Sequence, residues 1–158
     1  MFVLLRAIPF ATLFIGLLLV YLPAPLLVKS SIVRPAKIET PQVAGMVFGT
    51  ASAALAVWCL STFATIGRGT PAPFDLARRL VIQGPYRFVR NPMYIGAGLT
   101  LASAAIFYVS FSVLVYAGIF FLATQLFVVW YEEPTLRRTF GQEYDAYCRQ
   151  VGRWWPSV

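Results

Sequence analysis

The sequence contains no histidine and only two cysteines. Without histidine, the chain lacks the commonest general base of enzymes and the commonest metal ligand. Cys59 lies within an apolar run and Cys148 within a polar tail, so the pair can build neither a disulfide framework nor a cysteine zinc site. We therefore expect no metal ion as a partner of this chain.

Charged residues are also scarce. They make up 12% of the 158 residues, whereas hydrophobic residues make up 59% and the mean hydropathy is +0.71. An average soluble domain carries about 25% charged residues. This composition excludes a disordered chain, a collagen-like chain and an ordinary soluble enzyme, because too few polar side chains remain to cover a particle in water. It favours an integral membrane protein of one compact domain.

Acidic residues are scarcer than basic ones, with 6 Asp and Glu against 13 Lys and Arg and a formal net charge of +7. The basic residues lie between apolar runs, where they would meet anionic membrane lipid, and we expect no nucleic acid as a partner.

Most of the basic residues lie in a loop at 67–92 and a tail at 132–158. The positive-inside rule then places the loop, the tail and both termini on the cytoplasmic side. The small size favours a bacterial cytoplasmic membrane.

Three long apolar runs determine the expected fold. The runs at 7–28 and 43–66 are each long enough for one helix across a hydrocarbon core about 30 Å thick. The first run exceeds the apolar region of a cleaved signal peptide, which favours an uncleaved span. The third run, 94–131, contains no charged residue. As a single helix it would be about 57 Å long, so we predict a hairpin with its turn near 108–112.

The prediction is therefore an all-α integral membrane helical bundle, with about four transmembrane helices in a single domain over 1–158. Residues 1–66 would form two N-terminal spans. Residues 67–158 would form a polar loop, a C-terminal helical hairpin and a short amphipathic tail.

Two adjacent carboxylates, Glu132 and Glu133, directly follow the last apolar run. Like charges at a membrane edge repel each other and are costly in a low dielectric, so such a pair usually has a partner. One partner would be the start of the next helix, together with Arg137 and Arg138 within a helical turn. The other would be a ligand with vicinal hydroxyls such as a ribose, since a carboxylate accepts two hydrogen bonds from a diol. Both interpretations stay open at this point.

The segment GPYRFVRNPMYIGAG at 84–98 is typical of a turn, a basic-aromatic stretch and a helix start. Asn91 would be the N-cap and Pro92 the first helical residue. Free backbone N–H groups at such a start suit a carboxylate or a phosphate. Gly96 and Gly98 would let a planar ligand approach the backbone. The alternative is that these glycines pack against the other arm of the hairpin and that the arginines of the segment bind lipid headgroups.

Three stretches resemble the isoprenylcysteine carboxyl methyltransferase family and, more broadly, the group that also holds the membrane phospholipid N-methyltransferases. They are GRGTPAPFD at 67–75, LVIQGPYRFVRNPMYIGAG at 80–98 and EEPTLRRTFGQEYDAYCRQVGRWWP at 132–156. The resemblance covers roughly the last 90 residues, with the apolar hairpin between two polar blocks. It implies an S-adenosylmethionine site at the cytoplasmic end of that hairpin, with the loop at 67–92 as a cofactor-binding loop.

The resemblance also implies roles for individual residues. Those that match positions around the cofactor are Arg90, Asn91, Pro92, Tyr94, Gly96, Gly98, Glu132, Glu133 and Tyr144. Those implied in catalysis are Arg90, Tyr147 and Arg153. Many members of the family have a histidine where this chain has Asn91. An asparagine retains the hydrogen bonding of that histidine but not its titration.

The function implied is methyl transfer to a lipophilic or small acceptor that enters from the lipid. A carboxylate acceptor needs no base, whereas a thiol or an amine must first lose a proton. One alternative is an NADPH-dependent membrane reductase with a similar cofactor half, in which Arg137, Arg138 and Arg149 would bind the 2′-phosphate. The other is a non-catalytic membrane subunit that kept the fold without the activity.

Overall fold

The computed structural model describes residues 16–29, 37–67 and 79–156. Over these ranges every regular element is helical and none is a strand, which confirms the prediction of an all-α chain. The helices are α1 (Ala24–Lys29), α2 (Thr40–Thr62), α3 (Pro92–Phe107), α4 (Phe111–Phe127), α5 (Glu133–Phe140) and α6 (Gln142–Gln150). Single π-helical segments precede α1, follow α2 and join α4 to α5, at Gly16–Tyr21, Phe63–Gly67 and Val128–Glu132.

Two helices in the described ranges are long and apolar enough to cross a membrane. They are α2 and the continuous helix Phe111–Phe140. The segments Gly16–Val28 and Pro92–Phe107 are apolar but shorter. The predicted count of four spans therefore stays a prediction, and residues 7–15 of the first expected span lie outside the described part of the chain.

The hairpin predicted from the third apolar run is confirmed. Helix α3 ends at Phe107, the chain reverses through Tyr108–Ser110, and α4 begins at Phe111. Val109 adopts a positive φ of 49° in this turn. Ser110 is the N-cap of α4, and its hydroxyl oxygen accepts from the backbone N–H of Val113 at 3.4 Å. A serine cap and a left-handed residue thus produce the reversal within three residues.

Helices α2 and α3 pack closely and antiparallel. The start of α2 meets the end of α3, where Gln42 Nε2 donates to the carbonyl of Phe107 at 2.9 Å. Gly45 lies against the same residue, because a Cβ there would stand 2.7 Å from the Phe107 Cβ. Farther along, the hydroxyls of Ser52 and Thr100 lie 3.0 Å apart. Small residues and interhelical hydrogen bonds are the usual basis of helix association in lipid.

The outward faces of α2 and α4 are apolar. Val47, Phe48, Ile119 and Leu122 are large hydrophobic residues with most or about half of their surface exposed. Such faces suit contact with lipid chains, in which exposed apolar side chains carry no cost.

The polar segments gather at the end of the bundle opposite the hairpin turn, where α2 ends, α3 begins and α4 continues into α5. The backbone N–H of Arg90 donates to the carbonyl of Gly152 at 2.9 Å, and Val89 and Gly152 form an isolated parallel bridge. In the tail, Tyr144, Tyr147 and Val151 form a buried cluster. The tail is therefore folded against the start of α3.

Candidate functional site

A buried carboxylate between two arginines lies at the centre of the polar end. Arg153 donates to both Glu133 oxygens, from Nε at 2.7 Å and from Nη2 at 2.9 Å. Arg90 Nη1 lies 3.1 Å from Glu133 Oε1. The side chains of Glu133 and Arg90 are 7% and 12% exposed. This arrangement, called the ion triad below, joins the start of α3, the end of the long hairpin helix and the tail, and it carries a formal charge of +1.

The second carboxylate has a different partner. The hydroxyl of Tyr94 donates to Glu132 Oε2 at 3.0 Å. The two adjacent glutamates face different neighbours at the end of the π-helical segment Val128–Glu132. Such segments are rare and occur often at functional sites. Glu132 is thus left outside the ion triad, beside the first turn of α3.

Asn91 occupies the predicted N-cap position of α3, with Pro92 in the first turn, but its side chain makes no capping hydrogen bond. Instead, Asn91 Nδ2 donates to the carbonyl of Arg153 at 3.4 Å. This hydrogen bond to the tail uses the asparagine side chain that would otherwise cap the start of α3. The backbone N–H groups of the first turn of α3 therefore donate no hydrogen bond to the side chain of this cap.

The two glycines of α3 differ in their surroundings. Gly96 is buried against α2, where a Cβ would lie 3.7 Å from the carbonyl oxygen of Ser52. The alternative in which this glycine packs on the other arm of the hairpin is therefore wrong for Gly96, whose neighbour is α2. At Gly98 a Cβ would have no neighbour within 4 Å. Gly98 alone leaves open space beside the helix.

The tail tyrosines are buried. The hydroxyl of Tyr147 donates to the carbonyl of Tyr86, and Tyr144 lies beside it with ring centroids 6.3 Å apart. Burial raises the pKa of both phenols, so both stay protonated at neutral pH. The hydroxyl of Tyr147 therefore serves to hold the loop that carries Tyr86.

The expected local partners of the carboxylate pair are not the ones observed. Arg137 Nε donates to Asp145 at 3.2 Å on the exposed side of the tail, and Arg138 is exposed. Of the alternatives left open by the sequence, pairing of these two arginines with Glu132 or Glu133 is therefore not the arrangement observed in the described ranges. The observed partners come from segments distant in sequence, because folding the tail on α3 brings Arg90 and Arg153 to the same carboxylate.

Two contacts and one buried group of the site were not found from the sequence. Arg90 Nη1 donates to Cys148 Sγ at 2.8 Å, and Trp154 Nε1 donates to Gln125 Oε1 at 2.6 Å. The phenol of Tyr86 is buried beside the end of α2. The signal for Tyr86 was present in the turn sequence GPYR, which places an aromatic residue directly after a Gly-Pro pair.

Among the described residues at this end, hydrogen-bonding capacity for a ligand remains at the Glu132 carboxylate, the uncapped start of α3, the phenol of Tyr86 and Arg90 Nε. In the described ranges, no group of three or more His, Cys, Asp or Glu side chains could hold a metal ion. These groups suit an organic ligand with a hydroxyl pair and an anionic group better than they suit a metal ion.

Comparison with known proteins agrees with this architecture. The family model for phospholipid methyltransferase matches residues 41–143, which include all of α2 except its first residue, the hairpin, the carboxylate pair and α5. No curated protein and no solved structure matches the chain. The match covers more than half of the 158 residues. The chain therefore belongs to the phospholipid methyltransferase family of integral membrane proteins.

Proposed function

We propose that this protein is an integral membrane methyltransferase that takes its methyl group from S-adenosylmethionine and transfers it to a lipophilic or small acceptor. The observation that carries the proposal is the placement of Glu132 and Tyr94 beside the ion triad, at one end of the hairpin. These are the segments in which the sequence resembles membrane methyltransferases.

The residues present fit the cofactor. Its amino-acid carboxylate suits the start of α3, where backbone N–H groups lack a side-chain cap and the ion triad adds positive charge. Its ribose diol suits Glu132, whose Oε2 accepts from Tyr94 while the rest of the carboxylate has capacity for hydroxyl donors. The aromatic ring of Tyr94 could face the sulfonium, since cations are attracted to such faces.

Glu133 is not assigned to the ribose diol, although the resemblance places it among the residues around the cofactor. Its two oxygens are occupied by Arg153 and Arg90, and its side chain is almost fully buried. We therefore assign the diol to Glu132 alone and make Glu133 a positioning residue for the two arginines. By the same reasoning, the role of Arg153 is to hold the tail on the site, and the role of Tyr147 is to hold the loop before α3.

Bound S-adenosylmethionine would supply an electrophilic methyl group on its sulfonium. The transfer is an in-line displacement, so the residues of the site act chiefly by aligning the two reactants and excluding water. Tyr94 and Glu132 would fix the donor from α3 and from the end of the hairpin helix. The apolar outer faces of α2 and α4 would leave the acceptor free to approach from the lipid.

The first test is calorimetric titration of S-adenosylmethionine and S-adenosylhomocysteine into the detergent-purified full chain, with NADPH alongside. The proposal expects saturable binding of the first two ligands. Binding of NADPH alone would favour a reductase. Binding of none of the three to folded protein would favour a non-catalytic subunit.

Replacing Glu132 by glutamine tests the diol assignment. The substitution keeps the shape of the side chain and removes the negative charge that a diol would bind. Because hydrogen bonds to charged groups contribute about 1.5–3 kcal/mol, we expect the Kd for S-adenosylhomocysteine to rise by roughly tenfold or more. Glu143→Gln is the matched control, because it makes the same change at an exposed carboxylate of α6. Equal Kd values for folded E132Q, E143Q and wild type would remove Glu132 from the cofactor site.

A further inference from the structure

Tyr86 has an unusual hydroxyl group. The residue is 8% exposed, and its phenol oxygen is buried without a hydrogen-bond partner. In the described ranges, the only other side-chain nitrogen or oxygen in this condition is Arg90 Nε, which belongs to the ion triad. A buried polar atom left unpaired costs about 1–3 kcal/mol. Such atoms are rare in folded proteins, and each one requires an explanation.

The ring of Tyr86 is positioned by its backbone and its packing, without help from the hydroxyl. It lies in the turn Gly84–Arg87, where Gly84 adopts a positive φ of 62° against Thr62. The ring packs with Cys59 and Val81, and its centroid is 6.4 Å from that of Phe63. Phenylalanine would satisfy all of these contacts equally well. The packing therefore does not account for an oxygen atom at this position.

Tyr86 lies beside the start of α3, because Met93 of its first turn packs against the same cluster as the Tyr86 ring. Burial raises the pKa of Tyr86 well above its usual value, and the nearby Cys59 thiol and Glu132 carboxylate add to this shift. The phenol is therefore protonated at neutral pH and available as a hydrogen-bond donor.

We infer that the hydroxyl of Tyr86 is a further cofactor-binding group, which donates a hydrogen bond to an acceptor atom of the bound S-adenosyl ligand. The inference rests on the proposed function. The hydroxyl is closed off from solvent in this structure, so the ligand reaches it only when a neighbouring side chain moves. Met93 is partly buried against the same cluster, and its unbranched side chain makes it the most adaptable neighbour.

Two tyrosine-to-phenylalanine variants distinguish a cofactor-binding role of the Tyr86 hydroxyl from a role in stabilising the fold. Tyr147→Phe removes a hydroxyl that donates to a backbone carbonyl, whereas Tyr86→Phe removes one without a partner. The measurements are the Kd for S-adenosylhomocysteine and the unfolding midpoint of the detergent-purified full chain. For Y86F we expect a Kd raised about three- to tenfold, with a midpoint equal to or above that of wild type. For Y147F we expect a lower midpoint.

Three results would overturn the inference. If the wild-type chain binds S-adenosylhomocysteine and Y86F binds it equally well, Tyr86 lies outside the cofactor site while the proposed function stands. If Y86F lowers the midpoint as much as Y147F, the hydroxyl has a structural partner. If the wild-type chain binds neither S-adenosyl ligand, the proposed function fails and this inference fails with it.

Discussion

Replacing Glu133 by alanine is expected to lower the free energy of unfolding by about 3–5 kcal/mol, the usual cost of removing one partner from a buried ion pair. The substitution would leave Arg90 buried and without its carboxylate, and it would remove both hydrogen bonds from Arg153. Water can reach Arg153, whose side chain is 31% exposed, so most of the cost arises at Arg90. Thermal or detergent-induced unfolding of the purified protein, followed by helical circular dichroism, measures the loss.

The matched control is Asp145→Ala, which removes the carboxylate of the ion pair with Arg137. Both side chains of that pair are about half exposed, at 54% and 50%. Exposed pairs contribute about 0–1 kcal/mol, so we expect little change in stability. Similar losses for E133A and D145A would show that the ion triad is no more important to the fold than an ordinary surface pair.

The second large effect is expected at Gly45. A Cβ at this position would lie 2.7 Å from the Phe107 Cβ and 2.9 Å from the Cα and the backbone nitrogen of the same residue. Two of these three atoms belong to the backbone, so α2 and α3 must move apart to accept even alanine. We expect Gly45→Ala to destabilise the protein by about 1–3 kcal/mol, the usual cost of overpacking. The unfolding measurement described for Glu133 would detect this loss.

Gly118→Ala is the control for that substitution. Gly118 lies within α4, and a Cβ there would have no neighbour within 4 Å. Since alanine is favoured over glycine in a helix by about 1 kcal/mol, G118A should be neutral or stabilising. A Gly45→Ala protein as stable as Gly118→Ala would mean that the two helices are not in close contact in the membrane.

Much of the fold could be predicted from the sequence because lipid imposes simple constraints. The third apolar run is too long for one span and contains no charge, so a hairpin was the necessary solution, and the turn falls within the predicted range. The start of α3 at Pro92 was also evident from Asn91 and Pro92. These features depend on residues close together in sequence.

The site was less predictable because its contacts join distant segments. Spacing along one helix offered Arg137 and Arg138 as candidate partners of the carboxylate pair, whereas the observed partner Arg153 lies 20 residues after Glu133. The different directions of Glu132 and Glu133 occur at a π-helical segment, which no hydrophobic pattern indicates. Tyr86 was overlooked because its property, a buried hydroxyl without a partner, exists only in three dimensions.

The attachment of the tail to the start of α3 has a consequence for biosynthesis. The contacts Arg90–Cys148, Tyr86–Tyr147 and Asn91–Arg153 join residues 58, 61 and 62 positions apart. Both arms of the hairpin are therefore synthesised before Arg153, and the site cannot be completed until nearly all of these 158 residues have been made. Assembly of the site is thus a late event in synthesis, and a translation product interrupted before residue 153 would contain the hairpin without Arg153 beside Glu133.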